Sequence, residues 1–261
     1  RIINSIKGNS GKLKAGEYLF FEDEKLSSVI MRIYLGKVYY RSVTIPEGSS
    51  VNQIIEIINN AVGLIGNIDK EPLEGSLLPE TYHYNYYDTK NSLIRRMIKA
   101  MNLQKEKAWI SRDRNEVLKN SDELIILASI IEEESGLNEE KKIISGVFFN
   151  RLKKNMLLQS DPTVIYGLFK KNNRENRKLS RYDLKIDTIW NTYIHKGLPP
   201  TPISNPGIES ILAAANPEKN DFFYFVANGK GGHNFSKTLR QHNNNVKIWK
   251  NIINCKKKNN C

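Results

Sequence analysis

Residues 127–136 read LASIIEEESG, an apolar run that ends in three adjacent carboxylates, Glu132, Glu133 and Glu134. Three carboxylates at the end of a greasy segment are costly unless each goes somewhere different. At about 100° per residue on a helix, Leu124, Leu127, Ala128, Ile131 and Ser135 share one face, the expected core stripe. Glu133 points roughly opposite and reads as a solvated surface group. Glu132 and Glu134 lie at the two margins of the stripe, half-covered by apolar neighbours. Burial disfavours the charged form and raises a carboxyl pKa, which is what a general acid needs near neutral pH. The spacing therefore nominates Glu132 or Glu134 as a proton donor. The two are about 160° apart around the helix, so they do not act as a pair. The plainer reading makes both of them rim residues paired with lysines.

Other chemistry finds less support. The segment ANGKGGHNF (227–235) has the glycines and lysine of a phosphate loop but not the G-x-x-x-x-G-K-[ST] order. A tight turn presenting His233 and Asn234 fits it better. His83, His195, His233 and His242 show no H-x-x-x-H or H-E-x-x-H spacing, so the sequence implies neither metal nor organic cofactor. No G-x-S-x-G elbow is present. Asn150 and Arg151 at a helix end, and Gln159, Ser160 and Asp161 at a loop start, join Tyr166 and Tyr193 as polar groups suited to a carbohydrate cleft. They suit any polar turn equally well.

These groups must be positioned by a chain of 261 residues with 39 % hydrophobic and 26 % charged residues, the composition of an ordinary globular protein. Its net charge of +12 favours polyanions such as nucleic acid, anionic lipid or wall polymer. Heavy use of Lys and Asn throughout explains the charge equally well. Cys255 and Cys261 lie in the last seven residues and cannot staple a core. No apolar stretch reaches the length of a membrane span, and the chain starts at Arg1, so a preceding anchor or signal is expected to be missing.

Residues 15–33 and 41–58 form a weak internal echo, each reading strand, turn, amphipathic helix. In the second copy Pro46–Glu47–Gly48 is the turn, and Ser49 or Ser50 caps the helix. Residues 71–88, EPLEGSLLPETYHYNYYD, read as a structured loop with strand character, whose aromatics either line a sugar or base surface or close a core. Helices are expected over 92–110, 121–135 and 138–155. DPTVIYG (161–167) and WNTYIHKGLPPTPISNPG (190–207) read as loops, and FFYFV (222–226) as a buried strand. Structured loops around helices and a few strands tend to carry a cleft.

LEGSLLPETY, LASIIEEES, GVFFNRLKKNMLLQSDPTVIYGL, WNTYIHKGLPPTPISNPG and ILAAANPEKNDFFYFVANGKGGHNFSKTLRQHN, in this order, resemble the endolytic murein transglycosylases of the YceG-like family. LKAGEYLF and VTIPEGSSVNQII at the front resemble that family's LysM-like subdomain. The resemblance covers about residues 12–250. It implies an α+β fold: a small LysM-like β/α subdomain over 1–70, a mixed helix-and-sheet catalytic domain with a glycan cleft over 71–250, and a basic tail over 251–261. It implies cleavage inside peptidoglycan strands between N-acetylmuramic acid and N-acetylglucosamine, leaving 1,6-anhydro ends and terminating nascent strands, without a cofactor. Cell-wall polymerases are the implied partners. A single membrane-spanning helix before this start would hold the body on the periplasmic side of the bacterial inner membrane.

The same resemblance places the essential glutamate at Glu132, the first acidic residue after the aliphatic run, with Glu134 supporting the site or the fold. Asn150, Arg151, Gln159, Ser160, Asp161, Tyr166, Tyr193, Ser204, Asn205, His233 and Phe235 are the candidates for holding the sugars. One catalytic carboxyl suffices if the substrate's own C6 hydroxyl is the nucleophile, whereas a hydrolase needs two. Three rivals remain from the sequence: a binding-only protein, a hydrolase with Asp161 as second carboxylate, and a nucleic-acid-binding protein. The front of this chain has PETY at 79–82 where an aspartate version is expected, and the basic segment 170–187 is long.

Overall fold

The computed structural model describes residues 16–114, 117–169 and 179–257. The architecture is mixed α+β, with helices dominating and, among the described residues, the strands confined to two antiparallel pairs. The chain divides into two compact units, and both are discontinuous in sequence.

The described part of the first unit comprises residues 16–45, 52–71 and 80–96. Helix α1 (Leu26–Leu35) stops at Gly36, whose φ of 67° is the left-handed conformation that glycine adopts without steric cost. Strand β1 (Arg41–Thr44) pairs with β2 (Thr81–Tyr84), Val43 opposite Tyr82. This ladder is why residues 80–96 belong with the front of the chain. Between the strands runs α2 (Val51–Asn60), with Ile54 and Ile58 buried one turn apart. The second copy of the echo thus forms its strand and helix. The first copy keeps the helix but forms no strand among its described residues: the Arg32 guanidinium donates to the Leu19 carbonyl and to Glu24, tying that segment into a turn. The Ser49 hydroxyl donates to the Pro46 carbonyl, and the Val51 N–H donates to Glu74.

Helix α3 (Lys90–Ser111) starts at Thr89, whose hydroxyl accepts the Ser92 N–H, and buries Leu93, Met97 and Met101 at four-residue spacing. Its later turns belong to the second unit. Helix α4 (Ser121–Glu134) is the centre of that unit. Asn120 accepts the N–H groups of Asp122 and Glu123, a side-chain N-cap, and the two first-turn acids complement the helix dipole. All eight residues from Leu124 to Ile131 are buried, so the helix is enclosed on every side rather than along one stripe. Its covering comes from α5 (Asn138–Lys153), α6 (Asp161–Phe169) and α7 (Ile208–Ala215).

Helix α6 replaces the loop expected at DPTVIYG. Pro162 falls in the first turn, where no intrahelical N–H is required, and the Thr163 hydroxyl donates to the Ser160 carbonyl. FFYFV gives strand β3 (Tyr224–Ala227), which forms a hairpin with β4 (His233–Ser236), Phe225 opposite Phe235. The hairpin is half-buried rather than interior: Phe225 sets its ring against Phe148, and the Tyr224 ring stacks on His242. Helix α8 (Leu239–Lys257) follows, so the expected tail is helical to residue 257; Cys261 and residues 170–178 of the basic segment lie outside the described residues. No helix among the described residues is long and apolar enough to cross a membrane.

Gly146 marks the tightest approach around α5. A Cβ there would collide with the Glu218 carbonyl and the Asn220 amide. Gly146→Ala is expected to cost about 1–3 kcal/mol of stability through overpacking, read as a lowered thermal unfolding midpoint.

Candidate active site

The three carboxylates at the end of α4 meet different environments. Glu133 is exposed. Glu132 is held at both oxygens: Oε1 accepts from Lys141 Nζ at 3.1 Å, and Oε2 accepts from the Gly207 N–H at 2.8 Å. Gly207 caps the start of α7, where partial positive charge gathers. The Lys141 side chain is 3 % exposed, and Glu47 lies 3.8 Å from its ammonium. A buried charge pair with its donors and acceptors satisfied in this way is a structural fastening.

Glu134 is different. It is half-buried, and its Oε1 accepts a single 2.6 Å hydrogen bond from the Ser160 hydroxyl. Burial pushes its pKa up to about 7; the Ser160 hydrogen bond works against this, the nearby Asp161 charge adds to it, and the Arg151 guanidinium opposes it. The carboxyl can therefore carry a proton near neutral pH and still reach solvent.

The loops around Glu134 are laced together by short polar contacts. The Gln159 N–H donates to the Thr192 carbonyl, and the Ser160 N–H donates to the Thr192 hydroxyl. Thr163 and Thr192 join hydroxyls at 2.9 Å, and the Tyr193 hydroxyl donates to Asp161 at 2.6 Å. Burial and the Asp161 charge push the Tyr193 phenol well above its ordinary range, so it stays a donor. Gln159 is exposed with φ of 51°, a left-handed backbone that a non-glycine residue holds only when its surroundings impose it. The structure thus gathers Gln159, Ser160, Asp161 and Tyr193 with Glu134.

Other expected sugar contacts are spent inside the protein. Asn205 is fully buried: Nδ2 donates to the Ser49 carbonyl and Glu74, and Oδ1 accepts the Leu77 N–H. Ser204 is buried and donates to the Ser129 carbonyl. Asn150 donates to the carbonyls of Asn220 and Phe222. Buried Arg151 donates to those of Phe223 and Leu158 and lies over the Tyr224 ring. Tyr166 is buried edge-on against Trp190. These five hold the frame, and direct sugar contact is closed to the buried ones in this conformation. Phe235 joins the aromatic cluster of Phe222 and Phe225. His233 is bound through both its N–H and its Nδ1 to Glu140, at 2.8 and 2.6 Å.

Lys141 and Thr192 escaped the sequence reading. A signal existed for Lys141, which falls at i, i+3 and i+7 with buried Ile144 and Phe148. A lysine on the apolar stripe needs a buried counter-charge. Nothing local marks Thr192.

The model of the YceG-like family matches residues 1–248. An endolytic murein transglycosylase of Bacillus subtilis is 35 % identical over 272 aligned residues, covering 91 % of this chain and 73 % of that one. One from Streptococcus pneumoniae is 34 % identical over 67 % of this chain and 32 % of its own length. A crystal structure of a YceG-like protein from Listeria monocytogenes superposes with a TM-score of 0.66 at 32 % identity, covering 93 % of this chain and 88 % of that one.

Two outcomes test the site's energetics. Asn205→Ala strands the Leu77 N–H and Glu74, so calorimetry is expected to show a loss of about 2–4 kcal/mol. The folded protein keeps the Glu134 proton to higher pH than the unfolded chain, so this group lowers stability as pH rises from 4.5 to about 7. Glu134→Gln is therefore expected to unfold a few degrees above the parent at pH 8 and level with it near pH 4. A gap of the same size at both pH values would refute the buried-acid description. On the match over nearly its whole length, the chain belongs to the YceG-like family.

Proposed function

We propose that this chain is an endolytic lytic transglycosylase of peptidoglycan, with Glu134 as its single acid/base. The observation that carries the reading is a half-buried carboxyl whose pKa is pushed up to about 7, bonded to one hydroxyl and set among exposed polar groups. Relatives named as endolytic murein transglycosylases supply the substrate class. The sequence resemblance gave the acid role to Glu132. Its two fixed donors, Lys141 and the Gly207 N–H, make it the fastening of the last turn of α4 in this proposal.

Protonated Glu134 donates its proton to the glycosidic oxygen between N-acetylmuramic acid and N-acetylglucosamine. The C1–O bond breaks, and the leaving sugar departs with a free 4-hydroxyl. The muramic C6 hydroxyl closes on C1, and Glu134, now a carboxylate, takes the hydroxyl proton. This returns the acid form and leaves a 1,6-anhydro end. Because the nucleophile belongs to the substrate, positioning supplies much of the rate and no second carboxylate is required. Ser160 orients the carboxyl, and the Asp161–Tyr193 pair and Gln159 face the sugars. The proposal extends, on the sequence resemblance, to a LysM-like front unit, a membrane anchor preceding residue 1, a location outside the inner membrane and pairing with wall polymerases.

Product analysis on uncrosslinked glycan strands tests it. The parent protein is expected to give anhydro ends. Glu134→Gln is expected to lose about 10²–10⁴-fold in rate, the usual contribution of a general acid, and Glu132→Gln to keep cutting while losing thermal stability. The reverse pattern would return the acid role to Glu132. Hydrated reducing ends would indicate a hydrolase using Asp161.

A further inference from the structure

Two carboxylates border one short stretch of the second unit. Glu134 accepts the Ser160 hydroxyl at 2.6 Å, and Asp161 is the next residue of the chain. Consecutive Cα atoms lie about 3.8 Å apart, so the two acids are near neighbours. The Asp161 charge acts on Glu134, and both charges act on the Tyr193 phenol.

The surroundings of Asp161 differ from those of Glu134. Asp161 is exposed and stands in the first turn of α6, the end at which a helix favours negative charge. Its Oδ1 accepts the Tyr193 hydroxyl at 2.6 Å. Among the described residues no other hydrogen bond and no ion pair reaches its carboxylate, so Oδ2 is left over. The chain has 40 Lys and Arg, so an acid outside ion pairing reflects placement rather than a shortage of cations.

The Asp161–Tyr193 contact is built from behind. The Tyr193 N–H donates to the side chain of fully buried Asn191 at 2.9 Å, and the Asn191 amide donates to the Leu184 and Ile186 carbonyls. Buried Thr192 accepts the Ser160 N–H and shares a hydroxyl contact with Thr163. Residues 191–193 and 160–163 are therefore one polar frame that fixes the backbone beside both acids. A charge held this way needs little reorganisation when a reaction calls on it.

Carboxylates in unlike surroundings take unlike roles. Glu134 is half-buried and bonded to a neutral hydroxyl, which suits the proton donor. When the glycosidic C1–O bond breaks, positive charge spreads over C1 and the ring oxygen of the muramic residue. A fixed anion stabilises that charge in the transition state and does little for the neutral ground state.

We propose that Asp161 is a second catalytic residue of this site, a carboxylate that stabilises the positive charge developing at C1 and the ring oxygen, and that Tyr193 is the residue that positions it. The assignment rests on the transglycosylase reading. Asp161 takes no proton and forms no bond. The proton passes from Glu134 to the leaving oxygen, the C6 oxygen closes on C1, and the C6 hydroxyl proton returns to Glu134. The anhydro end is therefore unchanged by the added residue.

The test uses the full chain on uncrosslinked glycan strands, with each variant assayed at the plateau of its own pH profile. Asp161→Asn keeps an acceptor for the Tyr193 hydroxyl and removes only the charge. It is expected to lower kcat about 10²–10³-fold, the cost of removing one charge-stabilising group, and to hold KM within about threefold of the parent. Its residual product is expected to carry anhydro ends. Calorimetry then compares the piperidinium analogue of N-acetylglucosamine, cationic at the ring-oxygen position, with a neutral analogue that keeps the ring oxygen. The parent is expected to prefer the cation at least about tenfold, and Asp161→Asn to lose that preference. Tyr193→Phe keeps the charge but frees it, so kcat falls about tenfold while the preference survives. A change confined to KM, a kcat within about threefold of the parent, or equal loss of affinity for both analogues in Asp161→Asn would overturn the proposal. The parent's own products keep the two readings apart. No new glycan ends would fail the transglycosylase reading and this assignment with it, whereas anhydro ends with an unimpaired Asp161→Asn variant would fail this assignment alone.

Discussion

The enclosure of α4 is the constraint on which the second unit depends. Eight consecutive residues of that helix are shut away from solvent, so its polar groups can emerge only at its ends. At the start, Asn120 and two acids satisfy the free N–H groups. At the end, three side chains with the same charge leave within a single turn. One reaches solvent, one is taken by a buried ammonium and a backbone N–H, and one is left with a single hydroxyl. The last arrangement is tolerable only because a carboxyl can shed its charge by keeping its proton. The raised pKa of Glu134 and the burial of α4 have one cause.

The surrounding polar residues divide accordingly. Asn150, Arg151 and Asn205 bind backbone carbonyls and N–H groups of loops that lack regular structure, doing for those segments what a ladder does for a strand, and Ser204 ties its loop to the Ser129 carbonyl of α4. Gln159, Asp161 and Tyr193 keep part of their surface open. Rigid support behind and exposed groups in front is the division expected where a reacting bond must be held still.

Much of this was legible in the sequence. The apolar run broken by Glu132–Glu134 predicted a helix end with divergent carboxylates, and the wheel set Glu132 and Glu134 at its margins and Glu133 in solvent. The wheel could not choose between the margins. That choice depends on what arrives from elsewhere: Lys141 and Gly207 on one side, Ser160 on the other. Tyrosine, asparagine and serine in a Pro/Gly-rich stretch read as a cleft lining, yet Asn205 and Tyr166 are buried, because composition carries no information on which face of a loop meets the core. DPTVIYG read as loop because a short helix of nine residues leaves little periodicity to detect. The missing first strand was hidden by a long-range contact, Arg32 reaching back over Leu19 and Glu24.

Gly207 has one more consequence. It offers its N–H to Glu132, and a Cβ at that position would collide with the carboxylate of Glu47, which itself leans toward Lys141. Residues 47 and 207 are therefore not independent variables. A side chain at 207 requires the Glu47 carboxylate to swing aside or to be shortened, and either change alters the second carboxylate beside Lys141. Sequence drift at these two positions, 160 residues apart, is coupled through the space a single hydrogen atom occupies on the glycine.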